Sequence, residues 1–459
     1  MKSLFRTKSI DSIIQNANKN SLKKTMGALD LVLLGIGCTI GTGVFVLTGI
    51  AAAKYAGPGI SISYLLAGII CIFAGLAYTE LAAMVPVAGS AYTYSYVVMG
   101  EFIAWLVAWS LILEYTFCAS TVAAGWSGYF VGMVKAAGLV IPDYLTKGPF
   151  EGGIINLPAS LIAVFVGLLL IRGTRESVLV NRILVGVKLC TIFIFLLVAA
   201  PHIEITNYSE FLPFGWKGVS MGTAIIFFAY IGFDSVAGAT EETKNPNRDV
   251  PIGIIGSIML CALLYILVAL ALTGIINYKE LNNPEPMAYA LRQNGSNIGG
   301  ALIGTGAIVG MITAMIVMMY AQSRMFFVLS RDCLIPSVFC KLHPRFSTPY
   351  LSCVLVTIAV ALVAGLTPIY IMGRITSLGT LFALTIVALS VLIFRVRKPE
   401  LKRPFKCPAV FVVAPIAILS CVYLIFTILQ RTGIVFLIWG ILGLLVYFLY
   451  SQKRSLLNN

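Results

Sequence analysis

Apolar runs, each long enough at about 20 helical residues to cross ~30 Å of hydrocarbon, recur twelve times along the chain. They lie near 29–54, 59–85, 102–134, 155–171, 177–200, 217–240, 251–276, 299–323, 350–366, 375–395, 409–429 and 433–450. In lipid only helices and closed barrels satisfy the backbone, and runs of this length are helices. The pattern therefore predicts an all-α polytopic membrane protein with twelve transmembrane helices. The first run follows a polar, basic tail and continues too far for a signal-peptide core, so it reads as a retained span.

Composition agrees. Hydrophobic residues are 59% and charged residues 11% of the 459, against roughly 25% charged in an average soluble domain. Mean hydropathy is +0.96. Disordered, collagen-like and small disulfide-rich classes are excluded, since each needs far more polar, Gly-repeat or Cys content. The net charge of +14 matters through its placement. With the amino terminus inside, 23 Lys and Arg fall on the inner segments and 8 on the outer ones. This positive-inside bias predicts both termini in the cytoplasm, in a plasma membrane. The remaining basic residue, Lys188, sits in the middle of the fifth span. The basic inner loops, including the block from Arg395 to Lys406, read as anchors; they flank spans and lack interleaved aromatics, which argues against nucleic acid. Glu241, Glu242 and Asp249 among Lys244 and Arg248 make either a cytoplasmic gate or an ordinary solvated network.

Ten cysteines form no CxxC pair, and only His202 and His343 accompany them. Buried inert thiols are expected, with no metal or other cofactor.

Two spans depart from the rest. The first contains Gly35, Gly37, Gly41 and Gly43, and each interior Gly costs a helix about 1 kcal/mol relative to Ala. It is poised to unwind, or else to pack closely through the Gly37/Gly41 spacing. The sixth places Gly232 and Asp234 part-way through an apolar helix. Gly41 and Gly232 are five spans apart, so the second segment enters from the opposite face. Interrupted helices at corresponding positions of oppositely oriented halves point to an inverted-repeat transporter with a midplane site. The chain then divides into a basic tail (1–24), a first five-helix repeat (25–200), a second, inverted one (201–395), a basic loop (396–408), helices 11 and 12 (409–451) and a short tail (452–459). A break frees amides at the start of one half-helix and carbonyls at the end of the other, suited respectively to a carboxylate and an ammonium. Those are the two ends of an amino-acid zwitterion.

Gly41-Thr42-Gly43-Val44-Phe45, Tyr78-Thr79-Glu80-Leu81 with Pro86 and Gly89, and Gly232-Phe233-Asp234 followed by Asn245-Pro246 and Arg248 to Pro251 stand in order. In these motifs the chain resembles the amino acid-polyamine-organocation transporters, and within them the bacterial branch of the cationic amino acid transporter family, from about Leu22 to Tyr450. The resemblance implies a 5+5 inverted-repeat, leucine-transporter-like core with broken helices 1 and 6, and alternating access. It implies that the amides of Gly41, Thr42 and Gly43 hold the substrate carboxylate, with the Thr42 hydroxyl as a further donor. The carbonyls of Thr39, Phe228 and Ile231, beside Gly232, would accept from the ammonium. Cys38 and Thr39 depart from the more apolar residues expected there.

Lys188 lies about 16 Å into its helix, too deep to snorkel out easily, and a central charge is functional by default. It is either a structural cation on first-span acceptors or, since desolvation disfavours the charged form, a group that binds and releases a proton. The resemblance places it where related transporters hold a sodium ion, which implies symport driven by a proton gradient with no sodium site. Glu114, with Tyr115 beside it, is near mid-depth in the third span. It would pair with Lys188, gate through Tyr115, meet a cationic substrate, or sit locally hydrogen-bonded. Asp234 would cap the half-helix after the break or take part in coupling. Met318 would line an apolar pocket with Phe228, which favours neutral, small or branched side chains, whereas Glu114 favours cationic ones.

The expected function is proton-coupled uptake of neutral L-amino acids, with a cationic permease or exchanger as the alternative. The expected partners are the amino-acid substrate and the bilayer, and no small membrane-protein partner is identifiable. An intramembrane enzyme finds no GxSxG, HExxH or Asp dyad here, and a channel finds no repeated filter motif.

Overall fold

The computed structural model describes residues 6–8, 24–85, 90–173, 178–346 and 348–456. Pro86, Gly89 and Arg175 lie outside them. The described secondary structure is helical apart from one isolated bridge, Met26 to Thr243. The helices are α1 (Ala28–Thr39), α2 (Ile60–Met84), α3 (Ser90–Val98), α4 (Glu101–Ala136), α5 (Leu157–Arg172), α6 (Val178–Ala199) and α7 (Gly215–Ile226). After them come α8 (Ser235–Gly238), α9 (Pro246–Ile275), α10 (Pro286–Gln293), α11 (Asn297–Arg331), α12 (Tyr350–Leu366), α13 (Ile369–Arg397) and α14 (Val410–Val446). Between α1 and α2 runs an arm, 43–56, of π-helical turns Gly43–Leu47 and Ala52–Ala56 around Thr48–Ala51. Among the described residues nine stretches are long and apolar enough to cross a membrane. Three shorter apolar helices, α1, α5 and α12, accompany them.

Local chemistry sets the boundaries. Asn156 caps α5 by accepting from the Ala159 amide at 3.2 Å, and Gly173, at φ +85°, ends it. Gly100, at φ +94°, separates α3 from α4. A straight α14 of 37 residues would be about 56 Å long. Its two ends instead return to one end of the bundle. The Cys407 amide bonds Glu80 near the end of α2, and Tyr447 Oη bonds Glu101 at the start of α4. The rod therefore doubles back between the apolar stretches Val410–Gln430 and Thr432–Arg454.

The bundle packs α11 along α4, α13 along α4 and α14, α9 along α1 and α2, and α12 along α5. At one end both termini dock. Lys8 Nζ lies 2.6 Å from Asp332, which also accepts from Tyr92 Oη at 2.5 Å. Glu101 accepts from Tyr96, Tyr447 and Ser455. At the same end part of the basic block is ion-paired. Arg395 Nε and Nη2 donate to the buried Glu80 at 2.8 and 2.7 Å, and Arg403 Nε lies 3.2 Å from it. The acid in the Tyr78-Thr79-Glu80 motif thus pins the loop between α13 and α14. The 241–249 stretch works through its backbone. Met26 N–H donates to Glu242 O at 3.0 Å and Lys244 N–H to Met26 O at 2.9 Å, tying the start of α1 to the segment after α8.

Candidate functional site: two broken helices and a buried lysine

The first break follows Thr39. Ile40 is extended (φ −74°, ψ 110°), so α1 stops there. Helical bonding resumes where Phe45 N–H donates to Gly41 O at 3.2 Å. The amides from Gly41 to Val44 therefore head a new helical segment, where N–H groups have no carbonyl four residues back to meet. The second break follows α7. A 3₁₀ turn, Phe227–Tyr230, runs into the extended Ile231 and then into Gly232 at φ +117°, a conformation that favours glycine.

The breaks pack against each other at two points. A Cβ on Gly43 would lie 2.4 Å from Ala229 Cα, and one on Gly232 would lie 2.9 Å from the Cys38 carbonyl carbon and oxygen. Gly35 and Gly37 are also packing positions, against Ser257 of α9 and Val185 of α6. Gly41 has room, with Ala314 Cβ at an ordinary 3.5 Å. Close packing thus falls to Gly35, Gly37 and Gly43 rather than to the Gly37/Gly41 pair.

Lys188 is fully buried, and Nζ donates to Gly37 O at 2.5 Å and to Ile40 O at 3.0 Å. These carbonyls belong to the end of α1, where a helix leaves acceptors unmet and its dipole favours a cation. The lysine stem crosses Gly310 of α11, where a Cβ would come 3.1 Å from Lys188 Cγ. One turn away Thr191 fills the space over Gly306.

The other expected residues fall around this crossing, with one correction. Glu114, 1% exposed, does not pair with Lys188: its neighbours are the Thr380 hydroxyl, Gly379 and the field of Asp234, and Oε2 meets no hydrogen-bond partner among the described residues. Lys188 instead reaches across to α1. Asp234 stands at the N-cap of α8, where its carboxylate accepts from backbone amides around the break, Ser235 among them. The Thr42 hydroxyl donates to Met311 Sδ at 3.3 Å and packs against Gly125 of α4. Tyr115 is buried within electrostatic reach of both acids. Phe228 and Met318 are buried, the latter one turn before Gln322, whose amide reaches Ile112 O and Thr116 Oγ1 on α4. Phe228 O already accepts from Ile231 N–H at 3.2 Å, leaving one lone pair for a second donor. The Thr39 hydroxyl bonds Gly35 O at 2.6 Å, within its own helix.

Sequence reasoning missed the supporting layer. Tyr64 Oη donates to Gly43 O at 3.2 Å, and Tyr129 Oη to Phe45 O at 2.8 Å, so both fasten the arm after the first break. Gly306, Gly310 and Ala314 form one small-residue face of α11. Their spacing by four was a visible signal for the face that receives Lys188 and Gly41. No cluster of His, Cys, Asp and Glu suited to a metal occurs among the described residues.

Comparison with known proteins accords with this arrangement. The sequence model of the amino acid permease family matches residues 26–449. The chain is 42% identical to the methylthioribose transporter of Bacillus subtilis (strain 168), over 100% of both chains. It is 43% identical to the branched-chain amino acid permease BcaP of the same organism, over 99% of both. It is 36% identical to the vacuolar cationic amino acid transporter 4 of Arabidopsis thaliana, over 87% of this chain and 68% of that one. With its apolar spans and crossed helix breaks, the chain belongs to the amino acid permease family of the amino acid-polyamine-organocation superfamily: it is a multi-pass membrane transporter and not an enzyme.

Proposed function

We propose that this chain carries neutral L-amino acids, small or branched in side chain, across the plasma membrane by proton-coupled alternating access. The observation that carries the reading is the crossing of the two breaks at Gly43/Ala229 and Gly232/Cys38. It sets the amides at 41–43 close to the carbonyls around Thr39, Phe228 and Ile231, which provides for both ends of a zwitterion. Met318 and Phe228 then supply apolar surface for the side chain. The architecture proposed is twelve crossings with both termini cytoplasmic, in two inverted five-helix repeats (25–200 and 201–395) followed by the folded-back α14. In this scheme Lys188 is the coupling group. Protonated, it holds the end of α1 through Gly37 and Ile40; on losing its proton it releases that end, and no sodium is needed.

The relatives' names bear on the substrate. A branched-chain amino acid is a zwitterion with an apolar side chain, which matches both halves of the site. Methylthioribose is uncharged and would leave the helix-end amides without an anion. A second reading, a cationic amino-acid permease or exchanger with Lys188 as a fixed charge, draws on Glu114, whose Oε2 has no hydrogen-bond partner among the described residues.

The test is uptake of labelled amino acids and of methylthioribose into proteoliposomes, with and without an inward proton gradient and with sodium absent. Gradient-stimulated uptake of leucine, isoleucine or valine supports the proposal. Gradient-independent uptake of arginine or lysine supports the second reading, and uptake of methylthioribose alone rejects both.

A further inference from the structure

Besides Lys188, Arg374 is the buried basic side chain among the described residues, and the proposed cycle does not use it. It lies in the second turn of α13, at the end of the bundle opposite the docked termini, and is only 5% exposed. Its Nη2 donates to Tyr55 Oη, at the far end of the 43–56 arm. The guanidinium stands over the Tyr55 ring at 5.5 Å and the Tyr370 ring at 5.8 Å. Lys54 shares the Tyr370 ring at 5.1 Å. No carboxylate pairs with Arg374 among the described residues. Glu151, within electrostatic reach of Lys54, also answers Lys147.

A buried cation without an anion is costly even when aromatic faces and a phenol oxygen share its charge. A buried ionisable side chain within a transmembrane bundle is a functional-site candidate by default. A guanidinium offers five N–H donors in a planar fork, and the structure commits one of them, to Tyr55. The group also adjoins the arm that leads to the first break. Its neighbour Gly373 abuts Leu47, with a Cβ there falling 3.3 Å from Leu47 Cδ1. Leu47 is four residues along the arm from Gly43, about 6 Å. The amides at 41–43 are thus one step deeper along the same arm.

We propose that Arg374, framed by Tyr55 and Tyr370, is a receiving site for the carboxylate of the incoming substrate, occupied before the amides at 41–43. The site takes a monocarboxylate, with the Tyr55 hydroxyl giving way to it, and favours amino acids over uncharged solutes at the outer mouth. It rests on the amino-acid reading above.

The experiment uses intact cells producing the full chain and reads initial rates, before the additions equilibrate across the membrane. Initial uptake of leucine is measured against 4-methylpentanoate, which keeps the carboxylate and lacks the amine, against 3-methylbutylamine, which keeps the amine, and against added chloride. Arg374→Gln should raise KM and the inhibition constant of 4-methylpentanoate by about tenfold, the scale of losing a charge-assisted hydrogen bond. Vmax and inhibition by the amine should stay within about twofold. Arg374→Lys should give an intermediate loss, and it carries the test if the Gln chain does not reach the membrane. Tyr55→Phe, which keeps the ring and frees the guanidinium, should retain inhibition by the carboxylate. Any effect of the weak acid on the proton gradient is common to all chains. The proposal is overturned if neither Arg374 variant changes inhibition by 4-methylpentanoate. It is also overturned if Tyr55→Phe matches Arg374→Gln, which would make the pair a latch, or if chloride competes as well as the carboxylate, which would make the site a general anion site. A wild-type chain that takes up no amino acid counts against the substrate reading instead.

Discussion

Gly43 and Ala229 join the two broken helices backbone to backbone: a methyl group on Gly43 would fall 2.4 Å from Ala229 Cα. Gly41, two residues earlier, meets Ala314 Cβ at 3.5 Å, an ordinary contact. Gly43→Ala is therefore expected to separate the breaks and reduce leucine uptake by about a hundredfold, as a clash the backbone must relieve. Gly41→Ala should reach the membrane normally and keep uptake within about threefold. Equal losses in both variants, measured at matched expression, would show that the crossing is not what the site depends on.

Lys188 and Gly310 form the second such pair. Lys188→Met leaves the Gly37 and Ile40 carbonyls buried without their cation, a cost of about 1–3 kcal/mol. Its pH profile of uptake should flatten. Gly310→Ala keeps the lysine but presses on its stem at 3.1 Å, so the midpoint of the pH profile should move while the maximal rate is largely kept. Gly306→Ala, which strikes Thr191 at 2.0 Å instead, serves as the packing control. A pH profile unmoved in Lys188→Met would end the coupling role.

Glu80 gathers Arg395, Arg403 and the Cys407 amide while only 1% exposed. Removing one member of a buried ion pair costs about 3–5 kcal/mol, because the partner charge stays buried. Glu80→Gln should therefore lower the thermal midpoint of the detergent-purified protein markedly. Glu80→Ala should do so further, since it also gives up the hydrogen bonds that Gln keeps. A midpoint within a degree of wild type in both would mean that the loop is held elsewhere.

Glu285, in the loop before α10, is raised above the usual carboxylate range by burial, against the pull of Arg292 and Lys135. A raised folded-state pKa means that the folded protein holds this proton more tightly than the unfolded chain does. The stability contributed is full below the unfolded value of about 4.3 and is lost as pH rises through the folded value. Wild type should thus gain on Glu285→Gln as pH is lowered from neutral, in paired thermal melts. A difference constant with pH would remove this group from the balance.

Much of the architecture was legible because hydrocarbon imposes a simple demand. Long apolar runs must be helices, and a Gly-rich or Gly-Asp interruption within one is costly unless it is used. The breaks at Gly41 to Gly43 and at Gly232, and the depth of Lys188, followed from that demand. What each interruption touches did not. The sequence offered Gly37/Gly41 as a packing pair and Lys188 as one of the partners for Glu114. The structure sends both elsewhere, Gly37 to Val185 and Glu114 to Thr380.

The sequence by itself determined the helical membrane class and the positions where the helices break, because both depend on local composition and on the solvent the chain must satisfy. The tertiary structure alone decided which glycine is sterically required and which groups meet Lys188 and Arg374, because those depend on contacts between residues far apart in sequence, such as Arg374 and Tyr55, 319 positions apart. Periodicity along one strand of sequence does not encode the rotation of one helix against another, and in this fold that rotation sets the chemistry of the site.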